Sequence, residues 1–148
     1  MPLPDPAPIP ANRSMPPAVV IPELAYPDVP VAAAWLCGAF GFTERLRIGR
    51  HRAQLAFGPG SLVVTQLSPD VPAASAAAGH SVMVRVDDVD AHHAHARDAG
   101  VAILNPPTDY PFGERQYTAA DFFGRRWTFS QTIADVDPAT WGGVVPSA

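Results

Sequence analysis

One stretch near the end of the chain limits the fold more than any other, residues 113–131, with the sequence GERQYTAADFFGRRWTFSQ. Residues 126–130 alternate polar and aromatic side chains, which is the period-2 pattern of a strand with one buried face. Residues 115–118 suit a second strand, and the turn between the two strands ends at Gly124, where a positive φ is accessible. The stretch therefore predicts a β-hairpin.

The two faces of this hairpin differ in polarity. Trp127 and Phe129 share one face, and that face carries no polar residue, so we expect both in a core. Arg126, Thr128 and Ser130 share the opposite face. This polar face is where we expect a binding site.

Composition restricts both architecture and function. A chain of 148 residues with a hydrophobic fraction of 47% can form one domain, or two small similar modules, around a real core. A net charge of −4 argues against nucleic-acid binding, which needs a basic surface. We expect a cytoplasmic protein, because Cys37 is the only cysteine and no secretory pattern occurs. We expect no membrane segment, because no apolar run of ~20 residues occurs.

Both ends of the chain are expected to lie outside the domain. Residues 1–18 contain seven of the 18 prolines. This arm is therefore predicted to be extended or disordered, or else to pack on a partner subunit. Residues 132–148 form a tail, in which Trp141 favours docking on the domain or on a partner subunit, with disorder as the alternative.

The sequence between the two ends predicts one order of elements twice, β-α-β-β-β. In the first half, Asp28 caps a helix that ends at Gly41. The strands of this half are predicted at residues 19–26, 43–48, 52–57 and 61–67. Residues 68–79 then form a linker that shows no apolar period.

In the second half, strand 80–86 precedes a helix that is capped by Asp88, and strand 101–104 leads into the hairpin. Tyr-Pro-Asp-Val-Pro at 26–30 and Val-Asp-Asp-Val-Asp at 86–90 hold the same place in each half, where a strand ends and a helix is capped. An internal duplication explains this match.

The two repeats resemble the vicinal oxygen chelate superfamily, which includes glyoxalases, extradiol dioxygenases, fosfomycin-resistance enzymes and bleomycin-resistance proteins. The resemblance is carried by AFGF at 39–42, by SVMVRVDDVDAHHAHARDAG at 81–100 and by the hairpin. It implies an α+β protein of the glyoxalase/bleomycin resistance fold, in which two βαβββ modules form a cupped mixed sheet. The domain would cover residues 19–131, with modules at 19–67 and 80–131, and the resemblance also implies a homodimer.

Metal-dependent members of this family place His, Glu or Gln at four concave positions, which by resemblance are Ile21 (or Pro22), Gln54, Ser81 and Thr128. Isoleucine cannot coordinate a cation, and serine and threonine hydroxyls are weak ligands for a divalent transition metal. Only Gln54 keeps ligand chemistry. The resemblance thus predicts a protein without the usual metal and without a cofactor.

An alternative remains open. His80 lies one residue before a family ligand position, and a bulge or a shift of one residue would bring it to the concave face. With Gln54 and Glu23 it would form a non-standard metal site, and the protein would be a metal-dependent lyase, isomerase or dioxygenase. His92 and His95 share a helix face, but we expect a solvated surface there.

The residues expected to bind a ligand are polar or adaptable and include both charge signs: Glu23, Arg52, Gln54, Ser81, Met83, Arg85, Tyr117, Arg126, Thr128 and Ser130. Tyr110, Phe112 and Tyr117 are expected to add stacking surface near the hairpin mouth. The leading hypothesis is a protein that binds or sequesters a polar small molecule without a metal, in a concave pocket of a homodimer. The sequence leaves the identity of that molecule open.

Overall fold

The computed structural model describes residues 1–5, 8 and 10–147. The chain divides into two compact units, residues 1–69 and residues 70–148. Each unit contains one β-α-β-β-β module and one four-stranded mixed sheet, so the predicted α+β fold of two such modules is confirmed. Within the described residues, no helix is long and apolar enough to cross a membrane.

In unit 1 the sheet has the order β1-β4-β3-β2, with β1 parallel to β4 and the other neighbours antiparallel. The elements are β1 (Glu23–Tyr26), α1 (Val29–Phe40), β2 (Thr43–Ile48), β3 (Arg52–Phe57) and β4 (Gly60–Gln66). The predicted first strand began at residue 19, but the strand begins only at Glu23, because Pro22 accepts from the Val63 N–H at 2.9 Å but cannot donate to the ladder.

The first helix begins and ends where the sequence predicts. The Asp28 side chain accepts a hydrogen bond from the Val31 N–H at 3.1 Å, which satisfies one of the free donors of the first turn. Gly41 has φ of 84° and donates its N–H to the Cys37 carbonyl, which closes the helix. The buried side of α1 includes Leu36 and Phe40 and packs on one face of the sheet.

In unit 2 the sheet has the order β5-β8-β7-β6, with β5 parallel to β8. The elements are α2 (Ala73–Ala77), β5 (Ser81–Arg85), α3 (Val89–Asp98), β6 (Ala102–Tyr110), β7 (Glu114–Ala120), β8 (Arg126–Thr132) and a 3₁₀ turn (Pro138–Trp141). The predicted linker therefore contains a short helix. Strand β6 is longer than the predicted 101–104, because Pro106 and Pro107 lie at a register shift on an edge strand, where proline is tolerated.

The turn of the predicted hairpin is organised by a buried carboxylate. Oδ1 of Asp121 accepts the N–H groups of Phe123 and Arg125 at 2.9 and 3.0 Å, and Oδ2 accepts the indole N–H of Trp127 at 3.0 Å. Strands β7 and β8 pair on either side of this turn, and Tyr117 lies opposite Phe129. The hairpin is thus confirmed, with Trp127 and Phe129 fully buried as predicted.

Candidate functional site

The face of the unit-2 sheet opposite the Trp127 and Phe129 side chains is polar; we call it the unit-2 open face. Neighbouring side chains on β5 and β8 form three rows across it, and the paired residues are Ser81 with Arg126, Met83 with Thr128, and Arg85 with Ser130. All six were expected to bind a ligand, and the strand pairing brings them together on one surface. The alternation of β5 and β8 produces this arrangement.

Strand β7 adds a carboxylate that sequence reasoning missed. Oε1 of Glu114 accepts a hydrogen bond from the Ser130 hydroxyl at 2.5 Å and another from the Gln116 side-chain amide at 3.0 Å. Within the described part of the chain, Glu114 has no cationic partner. Because Glu114 alternates with Gln116 and Thr118, the period-2 pattern held the signal for a second polar strand.

Arg85 extends the polar network at the same end of the face. Its guanidinium donates to the Thr132 hydroxyl at 2.9 Å, and Thr132 lies directly opposite Glu114 in the ladder. A carboxylate and a guanidinium therefore lie near each other on the unit-2 open face without forming an ion pair of their own. Such a surface can hydrogen-bond a polar ligand through donors and acceptors alike.

The unit-1 open face, opposite the face that packs on α1, holds three of the four remaining expected residues. Arg52 and Glu23 form an ion pair at 2.6 Å, and both side chains are substantially exposed. Gln54 lies on the same face, next to Arg52 in the alternation of β3, but is only 3% exposed. The difference in exposure comes from what covers Gln54.

Residues 12–16 of the proline-rich arm lie over Gln54. The Nε2 group of Gln54 donates to the Ser14 carbonyl at 2.8 Å, and its Oε1 atom accepts from the Arg45 guanidinium. Arg45 also donates to the Arg13 carbonyl at 2.9 Å, and Pro16 is buried. This part of the arm therefore packs on its own unit, while residues 6, 7 and 9 of the predicted arm lie outside the described residues.

Tyr117 does not belong to the candidate site, contrary to the prediction. It is fully buried on the core side of the sheet, stacked on Phe129 with a centroid separation of 5.1 Å. Its hydroxyl lies 2.6 Å from Nδ1 of His92, and burial raises the pKa of the phenol above its ordinary value. His92 is also half-buried and packs 4.2 Å from the Phe129 ring, so it is not the solvated histidine that we expected.

Of the three aromatic residues expected at the hairpin mouth, Tyr110 and Phe112 are partly exposed, whereas Tyr117 is buried. The rings of Tyr110 and Phe112 are stacked at 5.3 Å, and Trp141 meets Phe112 edge-on at 5.5 Å. The C-terminal tail therefore docks on its own unit through Trp141, which was one of the three predicted alternatives. Trp141 keeps 44% of its surface exposed.

The residues at the family's metal positions do not fit a metal ion. Gln54 directs its carbonyl oxygen at the Arg45 guanidinium, and a second cation at that oxygen would be repelled. At His80, Nε2 forms a hydrogen bond with the Arg125 guanidinium. Because a guanidinium can only donate, Nε2 is the acceptor, and its lone pair is already used. Among the described residues, no group of three or more His, Cys, Asp or Glu side chains is placed to hold a metal ion.

Cys37 is not an activated nucleophile. Partial burial raises the pKa of its thiol, and the nearby carboxylate of Glu44 raises it further. The reactive thiolate is therefore disfavoured at neutral pH.

The family model described as "Glyoxalase/Bleomycin resistance protein/Dioxygenase superfamily" matches residues 18–129. Among solved structures, the chain is 36% identical to TioX from Micromonospora sp. ML1, with 81% of this chain and 100% of TioX covered and a TM-score of 0.65. It is 26% identical to TnmS3, described as an antibiotic binding protein from Streptomyces sp. CB03234, with 76% and 93% covered and a TM-score of 0.64.

A glyoxalase/bleomycin resistance protein from the same Streptomyces strain is 27% identical to the chain, with 75% of this chain and 97% of that protein covered and a TM-score of 0.63. No protein with a curated description is significantly similar to the chain.

Proposed function

Because the chain belongs to the Glyoxalase/Bleomycin resistance protein/Dioxygenase superfamily, we propose that it binds and sequesters a polar small molecule of the antibiotic type, without a metal. The observation that carries this proposal is the unit-2 open face, where Glu114, Gln116 and Arg85 present hydrogen-bonding groups of both charge signs, while the buried Ser130 hydroxyl donates to Glu114 from below. The description of TnmS3 as an antibiotic binding protein supports the ligand class.

Metal-independent binding is favoured over metal-dependent catalysis by the chemistry at the family's ligand positions. A metal that acts as a Lewis acid needs several convergent imidazole or carboxylate ligands. Here one such position carries Gln54, whose oxygen already accepts from Arg45, and two others carry Ser81 and Thr128. Binding through hydrogen bonds and apolar contact needs none of these ligands.

A homodimer and a cytoplasmic location are part of the same proposal. The family resemblance supports the dimer, and the single cysteine is compatible with a reducing compartment. Sedimentation analysis of the purified protein tests the dimer directly, because a single species of monomer mass at all concentrations contradicts it.

The test of the function is thermal unfolding of the purified protein against a panel of antibiotics with varied charge. A ligand at a hundredfold excess over Kd should stabilise the fold by roughly 2.7 kcal/mol. Glu114→Gln keeps the side chain's size but removes its charge, so it should abolish the stabilisation by cationic ligands. Asp98→Asn, at an exposed acid at the end of α3, is the matched control and should leave it unchanged.

Elemental analysis of protein prepared without chelator separates this proposal from the enzyme alternative. Sub-stoichiometric metal in the wild type supports metal-independent binding. Stoichiometric Ni, Zn, Mn or Fe that is lost in His80→Ala overturns it and favours a metal-dependent lyase, isomerase or dioxygenase.

A further inference from the structure

A groove of about 590 Å³ opens beside the first row of the unit-2 open face. Small residues of the linker, from Ala74 to Gly79, form one side of it. The other side is formed by His80, Ser81, Arg126 and the turn residues Phe123 and Gly124. Its size is in the range of small-molecule sites.

The groove carries an unbalanced positive charge. The backbone of Arg126 pairs with the neighbouring strands, but its guanidinium makes no hydrogen bond or ion pair with any residue that the structure describes. No aspartate or glutamate occurs among the described residues that line the groove. The nearest acid along the chain, Asp121, is buried and accepts two backbone N–H groups and the Trp127 indole N–H.

The polar side chains of the groove are all able to donate. Arg126 has only donors, and the Ser81 hydroxyl, directly opposite it in the ladder, has one. At His80, Nε2 accepts from the buried Arg125, so in the neutral imidazole the proton is carried by Nδ1. Three donors with one uncompensated positive charge are complementary to an oxyanion, whose oxygens only accept.

We propose that this groove binds an oxyanion group, a carboxylate or a phosphate, of the small molecule that the protein sequesters. The proposal thus rests on the function proposed above and specifies its ligand. The guanidinium of Arg126 pairs with two oxygens of the anion, and Ser81 and His80 donate to the same group. The anionic end of the ligand then lies at the end of the face where β5 and β8 begin. Glu114 lies several rows away, near the end of β8.

The experiment is an NMR titration of the ¹⁵N-labelled full chain with inorganic phosphate and, separately, with acetate, with sodium chloride at equal ionic strength as the reference. We expect saturable shifts of the Ser81 and Gly124 amides and of the Arg126 side chain with either anion. Tighter binding of phosphate identifies a phosphate site, and tighter binding of acetate identifies a carboxylate site.

Arg126→Gln keeps a donor but removes the charge and the paired geometry, so it should weaken anion binding by about tenfold or more. Arg97→Gln, at an exposed arginine that pairs with Asp98 on α3, is the matched control and should bind as the wild type does. Shifts that equal those in sodium chloride, or that persist in Arg126→Gln, overturn the proposal.

The outcomes separate the groove from the proposed function. If compounds of the antibiotic panel stabilise the protein but neither anion binds at Ser81 and Gly124, the oxyanion proposal fails and the proposed function stands. If the anions bind but no compound of the panel stabilises the protein, the proposed function fails and the oxyanion site stands.

Discussion

The Nε2 group of Gln54 donates a hydrogen bond to the Ser14 carbonyl oxygen at 2.8 Å, which fixes the proline-rich arm on the unit-1 open face. Arg45 strengthens this contact because its guanidinium donates both to Gln54 and to the Arg13 carbonyl. The arm contributes only backbone carbonyls to these bonds. The sheet side chains Gln54 and Arg45 therefore supply the donors of these bonds.

Gln54→Glu is expected to release the arm while it keeps the size of the side chain. The new carboxylate still accepts from Arg45, but it has no hydrogen to donate and meets the Ser14 carbonyl oxygen as a second acceptor. Amide hydrogen exchange of residues 12–15 should then accelerate, including that of Met15, which donates to the Asn12 carbonyl at 3.2 Å.

Gln66→Glu is the matched control for this release. Gln66 likewise donates from its side-chain amide to a backbone oxygen, that of Pro27 at 2.7 Å, but it lies on exposed β4 surface and forms no hydrogen bond with the described residues of the arm. Gln66→Glu should leave the exchange of residues 12–15 unchanged. Equal exchange in Gln54→Glu and in the wild type would show that the arm is held by other contacts.

Much of the fold follows from local sequence signals. The bounds of β2 and β3 agree with the prediction, because glycine turns separate short strands of clear composition. The helix caps Asp28 and Asp88 both accept from the backbone N–H three residues on, at 3.1 and 3.0 Å. The extent of β6 was not predictable, since tolerance of Pro106 depends on β6 lying at the edge of the sheet.

Asp121→Asn is expected to lower the free energy of unfolding by about 2 kcal/mol. The buried carboxylate accepts three hydrogen bonds, and the asparagine replaces one of its two oxygens with an N–H₂ group. At one of the three bonds, two donors then face each other. Asp109→Asn is the control, since Asp109 forms an exposed ion pair with Arg115 and should cost no more than about 1 kcal/mol. Urea unfolding monitored by tryptophan fluorescence measures both values. Equal costs would show that the buried carboxylate is not what organises the turn.

Gly113 and Gly100 form a second matched pair. Both have a positive φ, 83° and 85°, but a Cβ on Gly113 would lie 2.1 Å from the Ala134 carbonyl oxygen, whereas nothing lies within 4 Å of one on Gly100. Gly100→Ala should cost about 1 kcal/mol for the backbone conformation alone. Gly113→Ala should cost a further 1–3 kcal/mol, about the cost of overpacking, because the chain after β8 must move. Equal losses in urea unfolding would contradict this close approach.

The candidate site was less accessible to sequence reasoning than the fold. The period-2 alternation placed Arg126, Thr128 and Ser130 on one face correctly, because neighbours on one strand are a local matter. Alternation separates Tyr117 from Gln116 and Thr118, but which of these two faces of β7 packs in the core depends on its register against β8, which places Tyr117 opposite Phe129. The covering of Gln54 by the arm depends on contacts between residues far apart in sequence, which no local pattern encodes.

Burial of Tyr117 makes a prediction about alkaline pH. Because the pKa of its phenol is raised in the folded protein, the unfolded state loses this proton first, at its ordinary value of about 10. The folded state then binds more protons than the unfolded state, so stability is fully present below pH of about 10 and declines as the pH rises toward the folded pKa. The chain contains no lysine, so few other groups titrate there.

Tyr117→Phe removes this titration together with the hydrogen bond to His92. At neutral pH the variant should be less stable than the wild type by about 1 kcal/mol, the usual net value of one such bond. Above pH of about 10 its stability should fall less steeply than that of the wild type, so the two curves of unfolding free energy against pH converge. Parallel curves would mean that the Tyr117 phenol ionises as readily in the folded protein as in the unfolded chain, and that its burial does not penalise the phenolate.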